Sequence, residues 1–249
     1  MDKELAILFI HRGATLEGFS ASNFESAQRA ATGADVIPLS FDSFGPVEDI
    51  DPSYKFPCWW SPDRLAYHWF RKVNPAYSRY LICEDDTYFN QAPKDFFGAS
   101  WDRDAVGGVI VNPNLSGLYH EGHGTHQYWI DVEVARLGVS DPNLRAKMRG
   151  FISMFGLFSH RALAAMTALY FDPLASWLTG PVIGAGGARG ANAEACSATL
   201  ANLAGYEPTS FAQTTQQAAW YIWPSTRPTV ETDPLDVGIW HPVKRVISP

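Results

Sequence analysis

The 249-residue chain has only three cysteines, Cys58, Cys83 and Cys196, widely spaced and odd in number. A disulfide framework is therefore excluded as the source of stability. Free thiols in a reducing compartment are expected, Cys83 especially, because it sits inside an apolar strand pattern. Positive charge is also scarce: 19 Lys and Arg face 26 Asp and Glu, for a formal net charge of -7, and the cations are scattered rather than clustered. A nucleic-acid binder needs a basic face, so nucleic acid is not an expected partner. Long hydrophobic runs are missing as well. Residues 5–10 form one short apolar run with acids before it and no small-residue cleavage site after it, and no window offers the about twenty uninterrupted apolar residues of a membrane span. The expectation is a soluble, cytoplasmic protein, with peripheral association at the inner face of a membrane left open.

What the chain does have is apolar and aromatic mass, 46% and 14% of residues, enough to bury a substantial core as one large domain or as two closely packed halves. Residues 5–10 (LAILFI) read as a buried strand, 24–33 (FESAQRAATG) as an amphipathic helix closed by Gly33, and 35–41 (DVIPLSF) as a second strand. That is one β-α-β unit. A helix over 63–73, ended by Pro75, a third strand over 77–84 and a fourth over 105–111 continue the alternation. Strands this apolar are normally covered on both faces. In the second half, 112–127 is loop-like, 151–159 reads as a strand, 160–171 as an amphipathic helix, 179–194 as a mobile, unstructured Gly-rich connection, and 192–204 as a further helix. After Trp220 the chain is Pro-rich and irregular. The predicted fold class is α/β, with a Rossmann-like, mostly parallel central sheet, helices on both faces and an irregular second half.

The third strand ends in three consecutive acids, Glu84, Asp85 and Asp86. A solvated turn is one reading, since Asp readily caps backbone groups in turns. Yet three adjacent carboxylates repel one another, and an apolar strand beside them raises the cost unless a cation is present. A divalent metal removes that cost. Carboxylate oxygens suit Mg²⁺ or Mn²⁺, which keep coordination positions open for phosphates, and ligands in open α/β sheets gather at the carboxyl ends of the strands.

The stretch YLICEDDTYFN resembles the acidic metal motif of GT-A-fold glycosyltransferases, and in particular the Asp-Asp-Asp-Thr-Tyr-type motif of fringe-like β-1,3-glycosyltransferases, with Glu84 where that motif has its first Asp. The resemblance implies a single GT-A-like domain, with residues 1–111 as the nucleotide-sugar half and 112–249 as the acceptor half. It implies Asp86 as the main metal ligand, Glu84 in the same shell, and Asp85 as a contact to the donor ribose or the metal shell. It also implies a late histidine as second ligand, for which His241 in GIWHPVKRV is the candidate, with Lys244 near the diphosphate. His241 equally reads as a half-buried residue beside Trp240, and Lys244 as a surface cation. At the end of the first strand, His11 and Arg12 are donor-site candidates, and Arg64 at the start of its helix is a candidate for the diphosphate, with Asp63 beside it as a helix cap. Glu194, at a helix start after the Gly-rich segment, is the candidate base that deprotonates the acceptor hydroxyl in an inverting reaction. It also reads as plain helix-start chemistry.

The implied activity is transfer of a sugar from a nucleoside-diphosphate sugar to a hydroxyl of a glycan or glycolipid, such as a surface polysaccharide, with Mn²⁺ or Mg²⁺ as cofactor. A non-catalytic nucleotide-sugar or glycan-binding module is the alternative from another class. The cluster His120, Glu121, His123 and His126 raises a metallohydrolase, but the spacing His-Glu-x-x-His fails at Gly124. GAGGARG (184–190) carries Arg189 where a dinucleotide fingerprint needs Gly, which disfavours a nicotinamide enzyme and leaves Arg189 as a phosphate contact or a surface side chain. Trp59, Trp60, Trp101, Trp129 and Trp220 fall where aromatic rings could stack on sugars, or simply pack.

Overall fold

A computed structural model of the chain describes residues 3–40, 42, 62–107, 110–111, 137–151, 155–179, 182–183, 187–188, 193–211, 238–241, 243–244 and 246. The described elements run β1 (Lys3–His11), α1 (Gly18–Ala30), β2 (Asp35–Ser40), α2 (Asp63–Val73), β3 (Tyr77–Glu84), β4 (Tyr88–Phe89), α3 (Pro93–Phe97), β5 (Ala105–Gly107) and β6 (Ile110–Val111). They continue with α4 (Pro142–Lys147), β7 (Gly150–Phe151), β8 (Phe155–Ser159), α5 (His160–Tyr170), α6 (Ser176–Thr179), β9 (Val182–Ile183), β10 (Gly187–Ala188), α7 (Ala193–Leu203), β11 (Thr209–Ser210) and β12 (Ile239–Trp240).

β1 explains the layering. Alternate residues of a strand face opposite sides, and both sides of β1 are apolar: Ala6, Leu8 and Ile10 enter one core while Leu5, Ile7 and Phe9 enter another. Helices α2, α5 and α7 cover the first side through Leu65, Leu163, Met166 and Leu200. The second side is closed by Ala27 of α1 with Phe96, Phe97, Trp101 and Phe211. Each fully buried Leu, Ile or Phe is worth about 1.5–3 kcal/mol, so a strand apolar on both faces is stable only between two layers. The sheet order is β11-β5-β8-β3-β1-β2. β1 pairs in parallel with β2 and β3, and β11 with β5, while β8 runs antiparallel to both of its neighbours. The register sets Ile10 opposite Glu84 and His11 opposite Ser40, so the carboxyl ends of β1, β2 and β3 are level at one rim.

The bounds of α2 and β3 match their sequence reading. Asn74 closes α2 in the left-handed region, at φ 48°, just before Pro75. Four expectations are corrected. α1 begins at Gly18, well before residue 24, because its buried face carries Ser20, Ser22, Asn23 and Ser26, which an apolar periodicity passes over. The expected strand over 105–111 is split, β5 joining the central sheet while β6 pairs with β7 in a separate ribbon. Phe151 of β7 lies over Gly107: a Cβ there would sit 1.9 Å from its ring. The expected strand over 151–159 is likewise divided between β7 and β8. Within 179–194, β9 and β10 form a two-stranded antiparallel ribbon rather than an unstructured connection. Neither Cys83 nor Cys196 is in a disulfide, and both are buried; Cys58 lies outside the described residues. No helix among the described residues is long and apolar enough to cross a membrane.

Candidate metal centre

The acidic triplet occupies the turn that leaves β3 at the level rim. Thr87 N–H donates to the Glu84 carbonyl at 3.1 Å, closing the turn, and the chain runs on into β4. β4 pairs antiparallel with β12, Ile239 opposite Phe89 and Trp240 opposite Tyr88. Because the two strands run in opposite directions, the residue after Trp240 is carried back toward the acids preceding Tyr88. That residue is His241. The arrangement is fastened on both sides: Asn90 N–H donates to the Gly238 carbonyl at 2.9 Å and Val243 N–H to the Asp86 carbonyl at 2.6 Å.

His241 Nε2 lies 2.9 Å from Asp86 Oδ1 and 3.4 Å from Glu84 Oε2. Lys244 Nζ stands 3.5 Å from Asp86 Oδ2. The ligand-capable atoms of Glu84, Asp86 and His241 all fall within 4.8 Å of one another, a grouping that can hold a metal ion. The Asp86 side chain is 11% exposed, that of Glu84 25% and that of Lys244 57%, so the cluster is walled at Asp86 and open toward Lys244.

The electrostatics follow from this crowding. Burial alone would pull the His241 imidazole below its ordinary value, but the Asp86 and Glu84 carboxylates outweigh it and push it up to about 10. Burial would raise Asp86, yet the His241 and Lys244 cations hold its carboxyl below the usual range. Glu84 is raised, first by burial and then by the Asp86 and Asp85 charges, with His241 offsetting part. Asp85 is raised by burial and by Asp86, with relief from Ser20, Arg12 and His11. Two carboxylates are hard oxygen donors of the kind Mg²⁺ and Mn²⁺ accept, and an imidazole nitrogen is a borderline donor that first-row transition ions take more readily than Mg²⁺, which favours Mn²⁺. Asp86 Oδ1 is buried and ion-paired with the His241 imidazole at 2.9 Å, so a cation that displaced the imidazole proton would take over the neutralisation that proton supplies. The donor set therefore fits a divalent cation.

His11 and Arg12 end β1 beside this turn. His11 is buried, with Nδ1 3.0 Å from the Arg12 carbonyl, while the Arg12 side chain is exposed and close enough to Asp85 to act on its charge. Ser40 at the end of β2 donates to the Gly13 carbonyl at 2.6 Å, holding the turn after β1, where Gly13 takes φ 77°. Arg64 departs from its sequence reading. Its side chain is fully buried, donating to the Tyr170 hydroxyl at 3.2 Å and the Thr179 carbonyl at 3.3 Å, and it packs α2 against α5 and α6. Asp63 is not a cap. α2 has no side-chain cap, and Asp63 Oδ2 instead accepts the Ser197 hydroxyl of α7 at 2.8 Å. Glu194 is the second residue of α7. Its side chain, like Arg189, His120, Glu121, His123, His126, Trp59, Trp60, Trp129 and Trp220, lies outside the described residues. Trp101 is buried core, with the Arg79 and Lys94 cations near its ring.

Sequence reasoning found α1 from residue 24 on but missed its first turns and the part they play at the site. Asn23, with no exposed surface, donates from Nδ2 to the carbonyls of both Asp85 and Val243, at 3.0 and 2.8 Å. Ser26 donates to the Asn23 carbonyl at 2.6 Å and accepts Phe89 N–H at 2.9 Å. The available signal was a helix whose Ser and Asn recur at i, i+3 spacing, one polar stripe facing inward.

No protein-family model and no curated protein sequence matches the chain. Among solved structures, it is similar to mouse xyloside xylosyltransferase 1 in its apo form, at 11% identity and a TM-score of 0.42, over 84% of this chain and 85% of that one.

Proposed function

We propose that the chain is a metal-dependent glycosyltransferase of GT-A type, moving a sugar from a nucleoside-diphosphate sugar to a hydroxyl of a glycan or glycolipid. The observation that carries this reading is the convergence of Glu84 and Asp86, at the carboxyl end of a parallel strand, with His241 from a distant segment. A divalent cation there supplies Lewis-acid stabilisation of charge developing on the leaving diphosphate. Asp86 and Glu84 provide the anionic wall that holds it, and His241 offers Nε2 once its proton is released. Lys244, exposed and 3.5 Å from Asp86, is placed to meet a second negative group. His11 and Arg12 at the end of β1, with Asp85 in the acidic turn beside them, receive the nucleoside portion. In the chemical step the acceptor oxygen bonds to the anomeric carbon, and the carbon–oxygen bond to the diphosphate breaks with its electron pair leaving on the nucleotide. The hydroxyl proton passes to the Glu194 carboxylate, with inversion.

The test is incubation with a panel of nucleotide sugars and Mn²⁺, followed by phosphorus and proton NMR for nucleoside diphosphate release and product configuration. Metal-dependent consumption of one donor is expected, lost in Asp86→Ala. Glu194→Gln should keep donor binding and lose roughly 10²–10⁴ in turnover, the usual worth of a general base. Turnover unchanged in Glu194→Gln removes the base from Glu194, binding without turnover in the native chain means a binding module, and indifference to every donor ends the reading.

A further inference from the structure

The metal reading leaves one mechanical question. The two halves of the cluster belong to segments far apart in sequence, and the antiparallel contact that joins them is two residues long on each side. So short a ladder is marginal by itself. Something must hold residues 238–241, 243 and 244 against the acidic turn firmly enough to place an imidazole.

We infer that Asn23 is the positioning residue of this centre, an amide clamp that fixes the His241 segment to the acidic turn and so sets metal affinity. The inference rests on the metal reading above. Asn23 sits one turn after Ser20 on the buried face of α1, with no exposed surface. Its Nδ2 has two donors, and both are spent on the two segments that must meet: the carbonyl of Asp85 at 3.0 Å and the carbonyl of Val243 at 2.8 Å. Two carbonyls facing one amide group require the nitrogen there, so the amide's orientation follows from the network. Asn23 Oδ1 accepts no hydrogen bond among the described residues, so the side chain is held at the junction by its donor end. Val243 is drawn in twice, since its own N–H reaches the Asp86 carbonyl at 2.6 Å. One turn further along α1, Ser26 holds Phe89 N–H, steadying the β4 side of the same ladder. Both hydrogen bonds from Asn23 go to backbone carbonyls, not to side chains of the trio. It acts through the backbone on either side of them, as groups behind metal ligands commonly do, at a cost of roughly 10- to 100-fold in affinity when removed.

The experiment is a calorimetric Mn²⁺ titration of native protein, Asn23→Ala, His241→Ala and the double variant, with Asn202→Ala as control. Asn202 is another buried amide, 8% exposed against 0% for Asn23, that donates to the Lys147 carbonyl at 2.7 Å. Asn23→Ala should weaken Mn²⁺ by roughly 10- to 100-fold. In the His241→Ala background it should add nothing, because no imidazole remains to be placed, and Asn202→Ala should bind as the native protein does. Equal losses from Asn23→Ala in both backgrounds, or an equal loss in Asn202→Ala, would show general loosening and overturn the inference. So would native affinity in a folded Asn23→Ala. If the alanine variant does not fold, Asn23→Ser, which keeps one donor, takes its place: a weakening confined to the His241 background supports the clamp, and native affinity refutes it. Failure of the native protein to bind Mn²⁺ removes the metal reading itself and the clamp with it. Native binding that is weakened in His241→Ala but unchanged by Asn23 substitution removes the clamp alone.

Discussion

His241 carries the sharpest consequence at the scale of single residues. In the metal-free fold its pKa is raised from 6.5 to about 10 by the two carboxylates against burial, so the folded chain keeps a proton that the unfolded chain has released. That contribution to stability is complete below 6.5 and disappears as pH climbs toward about 10. A metal must displace this proton to reach Nε2, so Mn²⁺ affinity should move oppositely, strengthening with pH over the same window. Calorimetry in buffers of different ionisation enthalpy reads the released proton directly; affinity flat in pH, with no proton released, would refute His241 as a ligand. The acids of this centre were legible because carboxylates crowded at a strand end demand a counter-charge, whereas His241 was a candidate only through the resemblance. Asn23 was not, since a buried amide bonded to distant carbonyls has the same sequence signature as a solvent-facing one. Arg64 and Asp63 misled in the opposite sense: charged residues at a helix start suggest solvent, yet both are buried, and the raised pKa of Asp63 comes first from that burial.

Secondary-structure elements were readable where their apolar pattern was simple. β1 and β3 are continuous apolar runs and α2 is rich in buried apolar side chains bounded by Asn74 and Pro75, and their expected positions held. α1 started earlier than its pattern suggested because its inward face is polar, and the 105–111 strand divided at Gly107, where Phe151 takes the space a side chain would fill. Pairing partners such as Phe151 are not visible in a linear pattern. Packing between α2 and α7 depends on a chain of hydroxyls: Tyr67 and Ser197 lie 2.7 Å apart, and Ser197 donates to Asp63 at 2.8 Å. Ser197→Ala leaves the buried Asp63 carboxylate short of a donor and should destabilise the fold by about 1–3 kcal/mol. Urea denaturation measures it, and a loss of only a few tenths would mean that this contact does not hold the helices. Because Ser197 follows Glu194 by three residues on α7, the same contact helps fix the start of the helix that bears the proposed base.

For the molecule as a whole, a mostly parallel sheet buried between two layers brings the ends of β1, β2 and β3 to one rim, and the 238–244 segment completes the cluster there. The α/β class and the rim were foreseeable from apolar strands alternating with helices. The pairing of β12 with β4 that brings His241 back was not, because a two-residue ladder leaves almost no periodic trace; only the resemblance pointed to His241. The proposed activity depends on that rim binding a nucleoside diphosphate through a metal. The most direct measurement is a calorimetric titration of the native protein and Asp86→Ala with a panel of nucleoside diphosphates, with Mn²⁺ and with chelator. Binding of one nucleotide that requires Mn²⁺ and is lost in Asp86→Ala is the predicted result. Binding of none, or binding indifferent to both the metal and Asp86, would contradict the account.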